Sequence, residues 1–281
     1  MNIEVFDNRI CALGEGPLWH PLRHQLFWVD ILGQRLLSQS NGASQHWQFD
    51  EDISALAWVD IEGLLIASES GLYRFDIATG DRELLAGLET SNANTRSNDG
   101  RADPWGGFWI GTMGKNAESE AGAIYRFYQG EIRTLVPNVT ISNSIAFSPD
   151  RQVAYYTDTV TAQIMQQPLS PADGWPKGPP KLFLDLRAEG LNPDGSVVDG
   201  KGCIWNAQWG AGRVARYSPT GELLSTIELP ATQITCPAFG GDALTTLFVT
   251  SAAKGVDGAQ DGMTFQVAQG VAGQQEHRVI L

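Results

Sequence analysis

The sequence Gly14-Glu15-Gly16-Pro17-Leu18-Trp19 places a polar side chain four positions before an apolar one. The same spacing recurs five more times, at intervals of roughly 40 to 50 residues, which is typical of a radially repeated fold. The polar positions are Glu15, Ser54, Asn98, Asn143, Asp194 and Thr235, and the apolar partners are Trp19, Trp58, Ala102, Phe147, Val198 and Phe239. In a closed ring, all six polar side chains would converge on one axis.

Further short segments follow each of these positions and read as strands. The second segment of a unit is compact and rich in aromatic and β-branched residues, as in Leu26-Phe27-Trp28-Val29. The third alternates apolar and polar residues, as in 71–75, which is expected of a strand with one solvated face. A weaker fourth segment follows, as in 82–88. Four antiparallel strands repeated six times predict an all-β fold, the six-bladed β-propeller.

The repeat predicts one propeller domain over residues 1–281, because no blade could bury its own faces alone. We expect residues 2–6 to pair with residues 277–281, so that strands from both chain ends share one blade and close the ring. The alternative is a β-sandwich or half-barrel with accidental spacing. Such a fold would not require one polar position in the same register in every unit.

The composition argues against several kinds of partner. The chain has 32 acidic and 19 basic residues, a net charge of −13 that repels nucleic acid and anionic lipid. No apolar segment approaches membrane-spanning length, and residues 1–9 show no signal peptide. Cys11, Cys203 and Cys236 show no pairing pattern, which favours a cytoplasmic location. We expect a monomer, because ring closure leaves no obligatory sheet edge.

Three of the six ring positions, Glu15, Asn143 and Asp194, offer hard oxygen donors. Two carboxylates and one amide suit calcium, magnesium or manganese. Each residue alone could be an ordinary turn residue, but their shared register favours a single site for a divalent cation. Three protein ligands would leave coordination positions for water and substrate. Zinc bound by histidine fits less well, because the four histidines fall in predicted loops or outer strands.

Asn98 holds the ring position of the third unit, and Arg96 lies two residues before it. Residues two apart in an extended segment face the same side, so both side chains are predicted to face the ion and bind substrate. The alternative is an Asn-Asp-Gly turn with a solvent-facing arginine. Ser54, Thr235 and Trp209 could contact the site or only pack against other residues.

Several longer motifs occur in a fixed order along the chain. They are Gly14-Glu15-Gly16-Pro17-Leu18-Trp19, Asn98-Asp99-Gly100-Arg101-Ala102-Asp103-Pro104, Phe108-Trp109-Ile110-Gly111-Thr112-Met113, Ser142-Asn143 before Phe147-Ser148-Pro149-Asp150, and Pro193-Asp194-Gly195 before Gly212-Arg213-Val214. Over nearly the whole chain, these motifs resemble the regucalcin/gluconolactonase family (senescence marker protein type). The resemblance implies a six-bladed propeller that hydrolyses a small-molecule sugar lactone with one divalent cation. It places Glu15, Asn143 and Asp194 on the metal and Arg96 and Asn98 on the substrate.

The chain departs from the family pattern in one loop. Some animal members carry an acidic residue after the Gly-Thr-Met motif, where this chain has Gly114-Lys115-Asn116. The resemblance therefore does not identify the sugar. We expect the cation to polarise the lactone carbonyl and Asp194 to accept a proton from the attacking water. Calcium is the first expectation, with magnesium, manganese, zinc or iron(II) as alternatives.

Two other functions stay open. A calcium-dependent phosphotriesterase or arylesterase of the propeller type would use the same oxygen ligands. A non-enzymatic propeller that binds calcium or protein would not need converging carboxylates. Covalent catalysis is disfavoured, because the chain has no Gly-x-Ser-x-Gly motif and no evident Ser-His-Asp arrangement.

Overall fold

The computed structural model describes residues 2–40 and 42–281. Met1 and Asn41, which belong to the predicted domain span, lie outside the described residues. The structure contains six four-stranded antiparallel sheets arranged as blades of a ring, so the predicted six-bladed β-propeller is confirmed. Among the described residues, the only helical segment is a 3-10 turn at Thr159–Thr161.

The strands follow the predicted order of four segments per unit. In chain order they are β1 (Ile3–Asp7), β2 (Gly14–His20), β3 (Gln25–Asp30), β4 (Arg35–Ser40), β5 (Ala43–Gln48), β6 (Ile53–Trp58), β7 (Gly63–Ser68), β8 (Gly71–Asp76), β9 (Arg82–Gly87), β10 (Thr95–Ala102), β11 (Phe108–Gly114), β12 (Gly122–Tyr128), β13 (Glu131–Val139), β14 (Ser142–Phe147), β15 (Val153–Asp158), β16 (Gln163–Pro168), β17 (Lys181–Asp185), β18 (Asn192–Val198), β19 (Ile204–Trp209), β20 (Arg213–Tyr217), β21 (Leu223–Glu228), β22 (Gln233–Gly240), β23 (Thr246–Ala252) and β24 (Thr264–Ala268). Blades 1 to 5 take β2–β5, β6–β9, β10–β13, β14–β17 and β18–β21, and blade 6 combines β22–β24 with β1.

The ring closes through the N-terminal strand, but the predicted partner is wrong. β1 pairs with β24, with Ile3 opposite Val267. Residues 277–281 form no strand; they contact blade 2, where the N–H of Val279 donates to the carbonyl of Trp58 at 3.0 Å. The physical reason is that the outer edge of blade 6 is the free edge of β24, and β1 takes it.

The first strand of each blade lines the axis and contacts the first strands of both neighbouring blades. All six predicted polar positions lie on these inner strands. Apolar side chains fill the spaces between blades, as where Trp47 of blade 1 packs edge-on against Phe75 of blade 2. No helix long and apolar enough to cross a membrane occurs in the part of the chain that the structure describes.

Each inner strand also contains a β-bulge at or next to its polar position. In blade 1, Glu15 pairs with Val29 and Leu18 pairs with Phe27, so two residues oppose one. Equivalent irregularities interrupt β6, β10, β14, β18 and β22. A bulge redirects side chains locally, so residues at these positions can turn toward the end of the axis.

Candidate metal centre

A cavity of about 630 Å³ lies where the inner strands begin, and all five predicted site residues line it. Blade 1 supplies Glu15, blade 3 supplies Arg96 and Asn98, blade 4 supplies Asn143 and blade 5 supplies Asp194. The remaining wall is formed by Leu13, Met113, Lys115, Asn116, Ala117, Ile141, Thr159, Trp209, Lys254 and Gly255. The fold therefore brings together residues that are up to 179 positions apart in the sequence.

Glu15 and Asp194 are buried carboxylates with very few protein partners. Oε2 of Glu15 accepts a hydrogen bond from the N–H of Gly16 at 3.0 Å. The N–H of Gly195 lowers the pKa of Asp194. Among the described residues, no side chain donates to either carboxylate and no cation forms a salt bridge with it. Burying a charge without a partner is unfavourable, so a cation bound beside these two carboxylates would be stabilised.

The pKa values of both carboxyl groups are raised, because burial disfavours their charged forms. Burial, together with the nearby charge of Asp99, raises the pKa of Glu15 to about 8. Burial also raises the pKa of Asp194 well above its ordinary value, with added repulsion from Glu15. Arg96 lowers both pKa values, but less than burial raises them. The two carboxylates line one cavity, and Glu15 raises the pKa of Asp194, as expected of two ligands of one ion.

Asn143 is held in one orientation by hydrogen bonds to both ends of its amide. Its Nδ2 donates to Oγ1 of Thr159 at 2.9 Å, and its Oδ1 accepts from Nδ2 of Asn98 at 3.2 Å. Thr159 in turn donates to the carbonyl of Pro193 at 2.8 Å, one residue before Asp194. Thr159 was missed by the sequence reasoning, because it lies in the 3-10 turn outside the repeated strand pattern.

Asn98 and Arg96 form a connected pair beside these groups. Nη1 of Arg96 donates to Oδ1 of Asn98 and to the carbonyl of Ser97, both at 2.8 Å. Asn98 also donates to the carbonyl of Ser142 at 2.9 Å. Nε and Nη2 of Arg96 form no hydrogen bond with any described residue, although the side chain is buried in the cavity wall. Arg96 therefore has free donors for a ligand, whereas the amide of Asn98 is largely engaged.

The other two ring positions do not line the cavity. Oγ of Ser54 donates to Oγ of Ser97 at 2.7 Å, and Oγ1 of Thr235 donates to the carbonyl of Gly14 at 2.6 Å. Both contacts join neighbouring blades. Trp209, whose role the sequence left open, is the last residue of β19, and it lines the cavity.

The donor set fits a hard divalent cation better than a soft one. Glu15, Asp194 and the amide of Asn143 supply only oxygen atoms. Within residues 2–40 and 42–281, no group of three or more His, Cys, Asp or Glu side chains is arranged to hold a metal ion. The amide of Asn143 is thus needed to complete the set of three ligands. Cys11, Cys203 and Cys236 are buried free thiols.

The chain and its fold are similar to known lactonases and to regucalcin. A family model described as the SMP-30/Gluconolactonase/LRE-like region matches residues 13–253. A 6-deoxy-6-sulfogluconolactonase from Pseudomonas putida is 38% identical, over 85% of this chain and 83% of the relative. An L-arabinolactonase from Azospirillum brasilense is 34% identical, over 87% and 82%. The crystal structure of regucalcin from Agrobacterium tumefaciens str. C58, described as a calcium-binding protein, has a TM-score of 0.96 and 39% identity, over 99% of this chain and 97% of that one.

Proposed function

The chain belongs to the SMP-30/Gluconolactonase/LRE-like family, and from this membership we propose that it opens a sugar lactone to the corresponding aldonic acid with one bound divalent cation. The observation that carries the proposal is the shared cavity of Glu15, Asn143 and Asp194, in which neither buried carboxylate forms a salt bridge with any residue that the structure describes. The names of the relatives, 6-deoxy-6-sulfogluconolactonase and L-arabinolactonase, support a sugar lactone as substrate.

Glu15, Asn143 and Asp194 would hold the cation. Their oxygen atoms favour calcium, with magnesium, manganese, zinc or iron(II) as alternatives. When bound, the cation would polarise the lactone carbonyl and lower the pKa of a neighbouring water. The amide of Asn143 is preset for this role, because Thr159 holds its nitrogen and leaves a lone pair of its oxygen for the ion.

Asp194 is the proposed general base. Its carboxylate lines the same cavity as Glu15 and Asn143, so it lies beside the place where the cation would activate water. It would accept the proton of the water that attacks the carbonyl carbon. The bond between that carbon and the ring oxygen then breaks, and the ring oxygen leaves as a hydroxyl after receiving the proton from Asp194. Water and lactone thus give the hydroxy acid without a covalent enzyme intermediate.

Arg96 and Asn98 would orient the sugar. The free Nε and Nη2 donors of Arg96 suit hydroxyl or carbonyl oxygens of the substrate. Asn98 would hold Arg96 and Asn143 in their positions as well as contact the sugar. The indole of Trp209 adds an apolar surface to the cavity wall for a sugar ring.

We further propose that residues 1–281 act as one domain, as a cytoplasmic monomer without nucleic-acid or membrane partners. The net charge of −13 supports the last point.

The proposal is tested by a panel of aldonolactones, an aryl ester and an organophosphate, each assayed with native protein, after chelation and after return of Ca²⁺ or Mn²⁺. We expect lactone hydrolysis that is lost on chelation and restored by the metal. Faster turnover of the aryl ester or organophosphate would instead favour the arylesterase or phosphotriesterase function. Cation binding without turnover of any substrate would favour a binding protein.

A further inference from the structure

The guanidinium of Arg101 links the two inner strands that carry Asn143 and Asp194. Its Nε donates to the carbonyl of Ile145 at 3.1 Å, and its Nη2 donates to the carbonyl of Ser196 at 3.0 Å. Each of these carbonyls lies two residues after a proposed metal ligand. One rigid, planar group from blade 3 thus contacts blade 4 and blade 5 at equivalent places.

The third side of the guanidinium is held by the C-terminal tail, residues 269–281. Nη1 of Arg101 forms a buried salt bridge with the carboxylate of Glu276. The backbone carbonyl of Glu276 accepts from Nε1 of Trp58 at 2.8 Å, which fixes the tail against blade 2. Arg101 is therefore both oriented and neutralised by a segment that follows the last strand.

A second tail residue holds the same pair of strands. Nε2 of Gln274 donates to the carbonyl of Phe147 at 3.1 Å and to that of Val198 at 3.0 Å. These carbonyls end β14 and β18. Blade 3 adds another link, because Oδ2 of Asp99 accepts from the N–H of Ile145 at 2.7 Å. The tail and blade 3 thus hold β14 and β18 by several polar contacts at the end of the axis away from the cavity.

We propose that Arg101 and Glu276 are positioning residues for the metal site, an inference that rests on the proposed cation function. Asn143 and Asp194 lie on different sheets, so no strand ladder sets the distance between them. Contacts between blades must set it, and the Arg101 guanidinium spans that gap. A metal site depends on such outer contacts, because its ligands must be held at defined separations.

The test uses Arg101→Lys, which keeps the charge but loses the planar group, and Glu276→Gln, which keeps the shape but loses the charge. Glu131→Gln is the matched control, since Glu131 forms an exposed salt bridge with Arg133 on the outer strand of blade 3. The dissociation constants for Ca²⁺ and Mn²⁺ are measured by calorimetry, together with the thermal midpoint of the metal-free protein.

We expect Arg101→Lys to weaken cation binding by about tenfold to a hundredfold. Glu276→Gln should weaken it less, and the control should leave it unchanged. The double variant should bind no worse than Arg101→Lys alone, because Glu276 acts through Arg101.

Unchanged dissociation constants in both single variants would overturn the inference, even if their thermal midpoints fall, because Arg101 would then only stabilise the fold. If Arg101→Lys does not fold, Glu276→Gln decides by itself. Lactone assays on the native protein separate this result from the proposed function. A native protein that binds the cation but opens no lactone contradicts the proposed reaction while the positioning role is still measured.

Discussion

The carboxylates of Glu15 and Asp194 are buried and line one cavity, and the charge of Glu15 raises the pKa of Asp194. In the metal-free protein, this arrangement is electrostatically unfavourable. Functional sites often keep such a cost because a ligand relieves it. Removing one of the two charges should therefore weaken cation binding but stabilise the metal-free protein.

Glu15→Gln and Asp194→Asn should each weaken cation binding and lower lactone turnover by a factor of about a hundred or more. In contrast, the metal-free variants should be more stable than the native protein at pH 8 by about 1 kcal/mol, because one buried charge is gone. Calorimetric titration, lactone assay and urea unfolding measure the three effects. Glu83→Gln, at an exposed position on β9, is the control. Retained turnover in both site variants would contradict the ligand assignment.

The raised pKa of Glu15 also predicts how cation binding depends on pH. With a pKa of about 8, Glu15 is mostly protonated at pH 6, and a cation must displace that proton. Through Glu15 alone, the apparent affinity for Ca²⁺ should therefore rise by up to about tenfold per pH unit between pH 6 and pH 8, and displacement of a proton from Asp194 would make the rise steeper. Titrations at pH 6, 7 and 8 measure this slope. A flat profile would show that Glu15 is already ionised.

The stability of the metal-free protein should change in the opposite direction. The folded-state pKa of Glu15 lies above its ordinary value of 4.5, so protonation favours the folded state. This contribution is complete below pH 4.5 and is lost as the pH rises to about 8. Saturating Ca²⁺ should remove the loss, which thermal unfolding with and without the cation can check.

On the inner strands, the β-bulges lie at or next to the three proposed metal ligands. Among the described residues, the bulge contains a residue with left-handed backbone conformation only in blades 1 and 4. These residues are Gly16, with φ +52°, and Ser144, with φ +60°. In these two blades the proposed ligand, Glu15 or Asn143, comes just before the bulge. In blade 5, Asp194 lies within it. The sequence spacing alone treats these three positions as equivalent.

Gly16→Ala should therefore be more harmful than an ordinary glycine replacement. A Cβ at Gly16 would lie 3.0 Å from the carbonyl oxygen of Ser54, in addition to the left-handed backbone. We expect a loss of about 1 to 2 kcal/mol from the backbone, a further loss from crowding and weaker cation binding through displaced Glu15. Gly130→Ala is the control, with φ +80° and nothing within 4 Å of its Cβ. Equal losses in urea unfolding would argue against the crowding.

For the whole molecule, the junction between blade 6 and blade 1 decides whether the ring stays closed. β1 completes blade 6, and Phe6 at this strand packs edge-on against Phe248 at 4.8 Å and Trp28 at 6.2 Å between ring centroids. Phe248 belongs to blade 6 and Trp28 to blade 1. One side chain from the N-terminal strand thus packs between blade 6 and blade 1, which residues 8–13 also connect along the chain.

Phe6→Ala should lower the free energy of unfolding by about 2 to 3 kcal/mol, slightly less than for a fully buried phenylalanine, because Phe6 is only partly buried. Leu84→Ala, on the exposed outer strand β9, should change it by less than about 0.5 kcal/mol. Urea unfolding of both variants compares the two sites. A loss at Phe6 no larger than at Leu84 would mean that the junction does not limit stability.

The amino-acid sequence determined the number of blades, the four-strand unit and the residues that could bind a cation. These features depend on local alternation, on turn residues and on one polar position repeated in each unit, and all three are visible along the chain. The family resemblance followed from the same motifs. Glu15, Asn143 and Asp194 could be named early, because a closed ring brings equivalent positions to one axis.

Only the tertiary structure decided the path of the C-terminal tail, the orientation of Asn143 by Thr159 and the link from Arg101 to Glu276. Residues 277–281 look like a strand when read alone, but β1 already occupies the outer edge of blade 6 beside β24. Contacts between different blades join residues that are far apart in the chain and follow no period. Their energies depend on which edges, carbonyls and charges are still unpaired once the ring has closed.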